Sequence, residues 1–404
     1  MTKHTYDPQG FFGLERETLR VDKNGKLAQT PHPFGEDAHI TRDFCENQIE
    51  LITPVCSSID GAVEALAKLD AQAREVLAVR GEEIWLYSNP PHFETEADIP
   101  IAQFTGKHSG KRFYREALEK RYGKRLMLYS GVHFNFSFTE QQLRARFDGN
   151  GDFHSFKDAF YLRLYKQLFR HSWLLVLLTA ASPVYDRSLD GDGLCGVATG
   201  QYGSLRNSER GYWNQFVPVL DHTDLRSFTD SIQRYVNKGL LFSASELYLP
   251  IRLKPRGENT LQNLAENGVD HIELRMFDLQ PLTPIGVDAD DLRFAHLLIQ
   301  YLADQPDAAF TEAQQEQAVN DHHAAALYDP PRCLLERAQQ ILQDMTQYYS
   351  SDPAALHLIG RQQAKLSGKG LCKQIVCGRI YDVPKKGTRV CNLCQPRVRM
   401  MCGA

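Results

Sequence analysis

Three short segments alternate apolar and polar residues with a period of two, the pattern of strands that bury one face and leave the other free. In "GVHFNFSF", Val132, Phe134, Phe136 and Phe138 share one side, while His133, Asn135 and Ser137 share the other. In "ELYLPIRLK", Leu247, Leu249, Ile251 and Leu253 oppose Glu246, Tyr248, Pro250, Arg252 and Lys254. In "HIELRMFD", Ile272, Leu274 and Met276 oppose His271, Glu273 and Arg275. "FGLERETLR" and "QIELITPV" read the same way, with Glu15 and Glu17 on the far side from Leu14, and Glu50 on the far side from Ile49 and Leu51. The helical period appears between Ser57 and Gly81, where Val63, Leu66, Leu69, Ala73 and Leu77 form one stripe. Ser58 or Asp60 is placed to cap that helix and Gly81 to end it. A second helix is expected over "FKDAFYLRLYKQLFRHSWLLVLLTAA", amphipathic at first and then apolar throughout, stopping at Ser182-Pro183.

Alternation by itself requires only an antiparallel sheet with one wet face. A wet face, however, ordinarily draws Lys, Glu, Thr and Ser, whereas these strands present His, Asn, Tyr and Arg beside aromatics. Glu15 and Glu17, two residues apart on a strand, point the same way about 7 Å apart. Like charges so placed repel unless water, a cation or a metal lies between them. Asp43, Glu46 and Glu50 follow in "ITRDFCENQIELITPV", and His133 and Glu273 complete an oxygen-rich set with one imidazole. Such donors suit Mg²⁺ or Mn²⁺ and not zinc. The plain alternative is that each acid is solvated on its own or paired with Arg16, Arg20 or Arg42.

Composition limits the field without naming a function. The chain has 404 residues, 42% hydrophobic and 24% charged, with a formal net charge of −4. That balance gives no electrostatic case for nucleic acid or an anionic membrane. The N-terminus lacks the apolar stretch of a signal peptide. "SWLLVLLTAASPV", the longest apolar run, falls short of the ~20 residues of a membrane span and reads as a buried helix. Nine unevenly placed cysteines do not suggest a disulfide framework, so a reducing cytoplasm is expected. "GDGLCG" fits a dinucleotide fingerprint, but no strand leads into it and no helix follows, which makes it a loop. No P-loop or G-x-S-x-G elbow occurs, and Cys45 and Cys195 lack any nucleophile motif.

In order, "GLERETLRV", "GKLAQTPHPFG", "ITRDFCENQIELITPV", "YREALEKRYG", "LYSGVHFNFSF", "SLRNSERGY", "ELYLPIRLK" and "HIELRMFDLQPLTPIGVD" closely resemble the bacterial type of glutamate-cysteine ligase (γ-glutamylcysteine synthetase). The resemblance runs from about Phe12 to about Ala303 and implies an α+β fold related to glutamine synthetase. In that fold about six antiparallel strands curve into a funnel flanked by helices. It also implies ligation of the L-glutamate γ-carboxylate to the L-cysteine amine at the expense of ATP, the first step of glutathione synthesis. On the family pattern Glu15, Glu17, Asp43, Glu50, His133 and Glu273 match metal-binding positions, with Glu46 nearby. Glu15, Glu17 and Arg275 would serve catalysis. Arg275 would hold the substrate glutamate, and Arg206, Tyr212 and Tyr248 surround the cysteine site. Arg252 and Lys254 are assigned to the ATP phosphates. Phe104 replaces a tyrosine found in some members. The partners implied are small molecules, with no nucleic acid and no membrane. Two other readings remain: a carboxylate-amine ligase with a different amine acceptor, and a truncated homologue acting as a binding protein.

The resemblance fades beyond about residue 330, and a catalytic domain over 1–345 is expected. From Arg361 to Ala404 ten Lys or Arg stand against one acid, Asp382, with Cys372, Cys377, Cys391, Cys394 and Cys402 among them. This basic Cys-rich tail, 361–404, reads either as a small zinc ribbon or as a replaced terminus without a selected fold.

Overall fold

The computed structural model describes residues 4–104, 110–192 and 196–367. Its strands are β1 (Phe11–Asp22), β2 (Ile40–Arg42), β3 (Gln48–Ile52), β4 (Glu82–Ile84), β5 (Gly131–Ser137), β6 (Val184–Asp186), β7 (Val197–Thr199), β8 (Ile251–Lys254) and β9 (His271–Asp278). Its helices are α1 (Ile59–Val79), α2 (Gly110–Tyr122), α3 (Glu140–Arg146), α4 (Phe153–Thr179), α5 (Leu225–Asn237), α6 (Leu261–Asn267), α7 (Ala289–Ala303), α8 (Glu312–Ala325), α9 (Arg332–Tyr348) and α10 (Pro353–Ser367).

Six strands form one antiparallel path in the order β2-β3-β1-β5-β9-β8, the number the family resemblance implies. β4 adds to the far end of β1, opposite Arg20, Val21 and Asp22, while β6 and β7 pair apart from the main sheet. Phe12, Leu14, Val132, Phe134, Phe136, Ile251, Leu253, Ile272 and Leu274 form the apolar face and are all buried. Helix α1 covers that face at β1 and β3, and α4 covers it at β8 and β9. The sheet is therefore dry on one side, and its other side is free to line a cavity.

Helix boundaries follow local chemistry. Ser58, not Asp60, caps α1 by accepting the Gly61 N–H at 3.0 Å, and the helix ends before Gly81, whose φ of +69° suits glycine. α4 starts three residues before the periodic pattern does, because the Asp152 carboxylate accepts the Ser155 N–H at 2.8 Å. Among the described residues no helix is long and apolar enough to cross a membrane.

"ELYLPIRLK" departs from the single strand expected of it. Only Ile251–Lys254 pairs, and Ala244–Glu246 form a 3₁₀ turn. Pro250 has no N–H to give a ladder, which ends the strand there. Glu246 consequently leaves the polar face. It is buried against Arg121 Nη1 and Tyr122 Oη, each 2.7 Å from Oε1.

The chain stays packed beyond 345. α10 lies on α4, α7 and α9, so residues 361–367, basic like the tail, are the last turns of a helix. There Gln362 Nε2 donates to Asp291 Oδ1 at 3.0 Å and Lys365 Nζ to the Leu178 carbonyl at 3.2 Å. The five tail cysteines, and Gly193 to Cys195 within "GDGLCG", lie outside the described residues.

Candidate active site

Strand register gathers the polar side chains. β1 pairs with β3 so that Glu17 stands opposite Glu50, and with β5 so that Glu15 stands opposite His133. β5 sets Asn135 opposite Glu273 of β9, and β8 sets Arg252 opposite Glu273 from the other side. His133 is the hub of this strip and is only 2% exposed. Its Nδ1 lies 3.3 Å from Glu15 Oε2 and 3.4 Å from Glu273 Oε1, and its Nε2 lies 3.5 Å from Glu17 Oε1. Donor atoms of Glu15, His133 and Glu273 all fall within 4.8 Å of one another.

These residues line a cavity of about 210 Å³, together with Asp43, Glu50, Tyr212, Tyr248, Arg252, Lys254 and Arg275. Arg275 Nη1 is 3.0 Å from Glu273 Oε1, and Lys254 Nζ is 3.4 Å from Glu273 Oε2. Tyr212 and Tyr248 are in ring contact, with centroids 4.1 Å apart. Sequence reasoning missed Tyr114 and Arg115 of α2, which also line the cavity. Both sit in "YREALEKRYG", but on a helix amid surface charges nothing in the period marks them out. Asn135, seen only as a polar position, donates to Glu15 Oε1 at 3.0 Å.

Crowding acids in a buried place splits their proton affinities. Burial pushes Glu50 well above the ordinary carboxylate range, and the Glu15, Asp43 and Glu17 charges push it further. Glu17 is raised as well, chiefly by burial. Burial opposes ionisation of Glu273 too, yet Arg275, Lys254 and His133 together hold it well below that range. Glu15 is lowered because its hydrogen bond to His133 and the nearby cations outweigh burial. His133 is raised: Glu17, Glu15 and Glu273 overcome burial and the Arg275 charge.

The three arginines that might have neutralised these acids are engaged elsewhere. Arg16 pairs with Asp70 at 2.7 Å, Arg20 with Glu82 at 2.5 Å and Arg42 with Glu36 at 2.8 Å. Two expected site residues do not line the cavity. Glu46 turns inward, where its two carboxylate oxygens accept the His32 and Gln103 N–H groups, each at 2.8 Å. Arg206 lies beneath β9 and donates to the Phe277 and Arg275 carbonyls at 3.2 and 3.0 Å. In both cases the partners are backbone atoms of distant segments, which no local pattern displays. Phe104 packs against the guanidinium groups of Arg42 and Arg115, 4.8 and 4.5 Å from its centroid.

Two buried atoms in the strip, Glu273 Oε2 and His133 Nε2, have no hydrogen-bond partner. Their nearest charged groups are Lys254 Nζ at 3.4 Å and Glu17 Oε1 at 3.5 Å, and buried polar atoms without a hydrogen bond amid carboxylate oxygens fit a divalent cation. Fold and cavity thus define a class: an α+β protein whose antiparallel sheet carries acids and cations together on the one face that lines a cavity.

Comparison with known proteins narrows that class. The family model described as glutamate-cysteine ligase matches residues 2–238 and 217–325. The glutamate–cysteine ligase of Clostridium acetobutylicum is 32% identical over 373 residues, covering 79% of this chain and 77% of that protein. The glutathione biosynthesis bifunctional protein GshAB of Listeria monocytogenes serotype 4b is 40% identical over 338 residues. That match takes in 78% of this chain but only 43% of the Listeria protein, so the chain spans less than half of it. The crystal structure of a bifunctional glutathione synthetase from Pasteurella multocida superposes with a TM-score of 0.82 at 26% identity, over 92% of this chain and 50% of that one. The chain belongs to the glutamate-cysteine ligase family.

Proposed function

We propose that this chain joins the γ-carboxylate of L-glutamate to the amine of L-cysteine, with ATP consumed to ADP and phosphate. The observation that carries this reading is the meeting, in one cavity, of acids from β1, β3 and β9 around His133 with Arg252, Lys254 and Arg275 from β8 and β9. Carboxylate and amine do not condense in water without activation. A γ-carboxylate oxygen attacks the γ-phosphorus of ATP, forming a C–O–P bond as ADP leaves. The cysteine nitrogen then attacks the acyl carbon, and phosphate departs. Phosphoryl transfer asks mainly for alignment and neutralisation of charge.

Each role then falls to a placed side chain. Arg275 presents a fork of N–H donors to the α-carboxylate of glutamate. Arg252 and Lys254, on the edge strand β8, face the phosphates. Tyr212 and Tyr248 form the wall toward the cysteine, where Arg206 was expected as well. Glu15, His133 and Glu273, with Glu17, Asp43 and Glu50 around them, would hold Mg²⁺ or Mn²⁺. A divalent ion there supplies neutralisation of the phosphate oxygens. The raised Glu50 and Glu17 support this assignment, since a divalent cation would offset both the burial and the neighbouring acid charges that push them up.

Glu15→Gln and Glu273→Gln keep shape and remove one charge each. Each should lower Mg²⁺-dependent phosphate release in the presence of glutamate and cysteine by roughly 100-fold. Wild-type turnover in both would overturn the metal assignment. A panel of amines in the same assay separates cysteine from another acceptor: the reading requires cysteine to be preferred.

A further inference from the structure

β9 contains an irregularity next to the site. Val132 of β5 pairs with Phe277 and Phe134 pairs with Leu274, so two residues of β9, Arg275 and Met276, stand opposite His133 alone. A bulge of this kind leaves ladder groups unpaired and re-aims the side chains around it. On its other side β8 pairs only with His271 to Leu274; one residue further the Arg275 N–H donates to the Pro250 carbonyl at 3.0 Å, and among the described residues no strand pairs with Met276 or Phe277 there.

Side chains of the Leu205–Asn207 turn fill that gap. Arg206 donates to the Arg275 and Phe277 carbonyls at 3.0 and 3.2 Å, and Asn207 Nδ2 donates to the Met276 carbonyl at 2.9 Å. Three successive carbonyls are thereby held by two adjacent side chains. Asn207 is itself fixed from behind. Its Oδ1 lies 3.2 Å from His322 Nε2 on α8, and His322 Nδ1 lies 2.9 Å from Ser172 Oγ on α4. Because Asn207 Oδ1 can only accept, Nε2 carries the proton, and Nδ1 accepts from the serine. His322 is 1% exposed, and burial keeps its imidazole neutral.

We infer that Asn207 and His322 are positioning residues: the chain His322 to Asn207 to the Met276 carbonyl locks the β9 bulge and so aims Arg275 at the glutamate carboxylate. The assignment rests on the proposed role of Arg275. A buried acceptor left without its donor is costly, so loss of the Asn207 amide frees the bulge to shift.

The full-length chain tests this with two readouts. Amide hydrogen exchange of the 271–279 segment, without substrate, should accelerate about tenfold in Asn207→Ala and in His322→Leu. The KM for glutamate should rise about tenfold in both, with the KM for ATP within about twofold of wild type. His322→Gln, whose amide can still donate to Asn207 and accept from Ser172, should restore both. Unchanged exchange in Asn207→Ala, or a rise in KM for ATP equal to that for glutamate, would overturn the positioning role. Faster exchange in the two variants, with a wild-type protein that shows no glutamate-dependent ADP release, would instead overturn the Arg275 reading beneath it.

Discussion

Arg16 stands between Glu15 and Glu17 in sequence, but its side chain leaves β1 on the opposite face. There it is 2% exposed, bonded to Asp70 of α1 and to the Ile285 carbonyl at 3.0 Å. The alternation that displays the two acids to the cavity therefore forces a guanidinium into the core, and α1 supplies its partner. Asp70→Ala strands that charge and should cost about 3–5 kcal/mol in urea unfolding. A loss below about 1 kcal/mol would show that Arg16 finds water or another partner. The Glu15, Glu17, Glu50, His133, Glu273 and Arg275 positions were legible because strand alternation exposes them and the motifs agree. Arg115 and the inward turn of Glu46 were not, since both depend on which distant backbone comes near.

His296 is another residue whose state the packing decides. Gln300 Nε2 donates to His296 Nε2 at 3.0 Å, which leaves Nδ1 protonated and 3.0 Å from Tyr6 Oη. Burial lowers its pKa from 6.5 to about 3. Between those values the unfolded chain binds a proton that the folded one refuses, so stability is full above pH 6.5 and falls as pH drops toward 3. The slope from this residue is about 1.4 kcal/mol per pH unit, and His32 and His222, both lowered to about 4 mainly by burial, act in the same direction. Melting temperature should therefore drop between pH 7 and pH 5, less steeply in His296→Gln. Identical slopes in the two proteins would remove His296 from the explanation.

At the level of elements, β5 and the turn beneath it are fitted to one another through an absent side chain. A Cβ on Gly131 would come within 2.5 Å of Arg206 Cζ and Nη2. Gly131→Ala should thus displace the guanidinium from the β9 carbonyls and lower stability by about 1–3 kcal/mol. An unchanged melting midpoint would mean that Arg206 has room to move. The α1 and α4 helices were readable to within three residues at either end, because their caps and stops lie within their own sequence. β8 was read too long: alternation continues through Leu247 and Leu249, but Pro250 ends the ladder, and the bulge in β9 left no mark in the sequence.

For the molecule as a whole, composition places a break at Arg361, whereas packing carries the body through Ser367. Arg361 bonds Asp288 at 3.2 Å as well as Asp290, and Lys365 bonds Asp291, so α10 closes the N-terminal end of α7. A chain ending at Ser367 should keep the melting temperature of the full protein, and one ending at Asp352 should lose several degrees or fail to fold. Equal stability of the two would make α10 dispensable. The proposed activity requires the cavity to couple ATP cleavage to peptide formation. It is tested most directly by following ADP release from purified chain with Mg²⁺ and glutamate, before and after cysteine is added, while mass spectrometry follows γ-glutamylcysteine. Sustained ADP release is expected only when both amino acids are present, with one γ-glutamylcysteine per ADP. ADP release that ignores cysteine, or none with all substrates present, would contradict it.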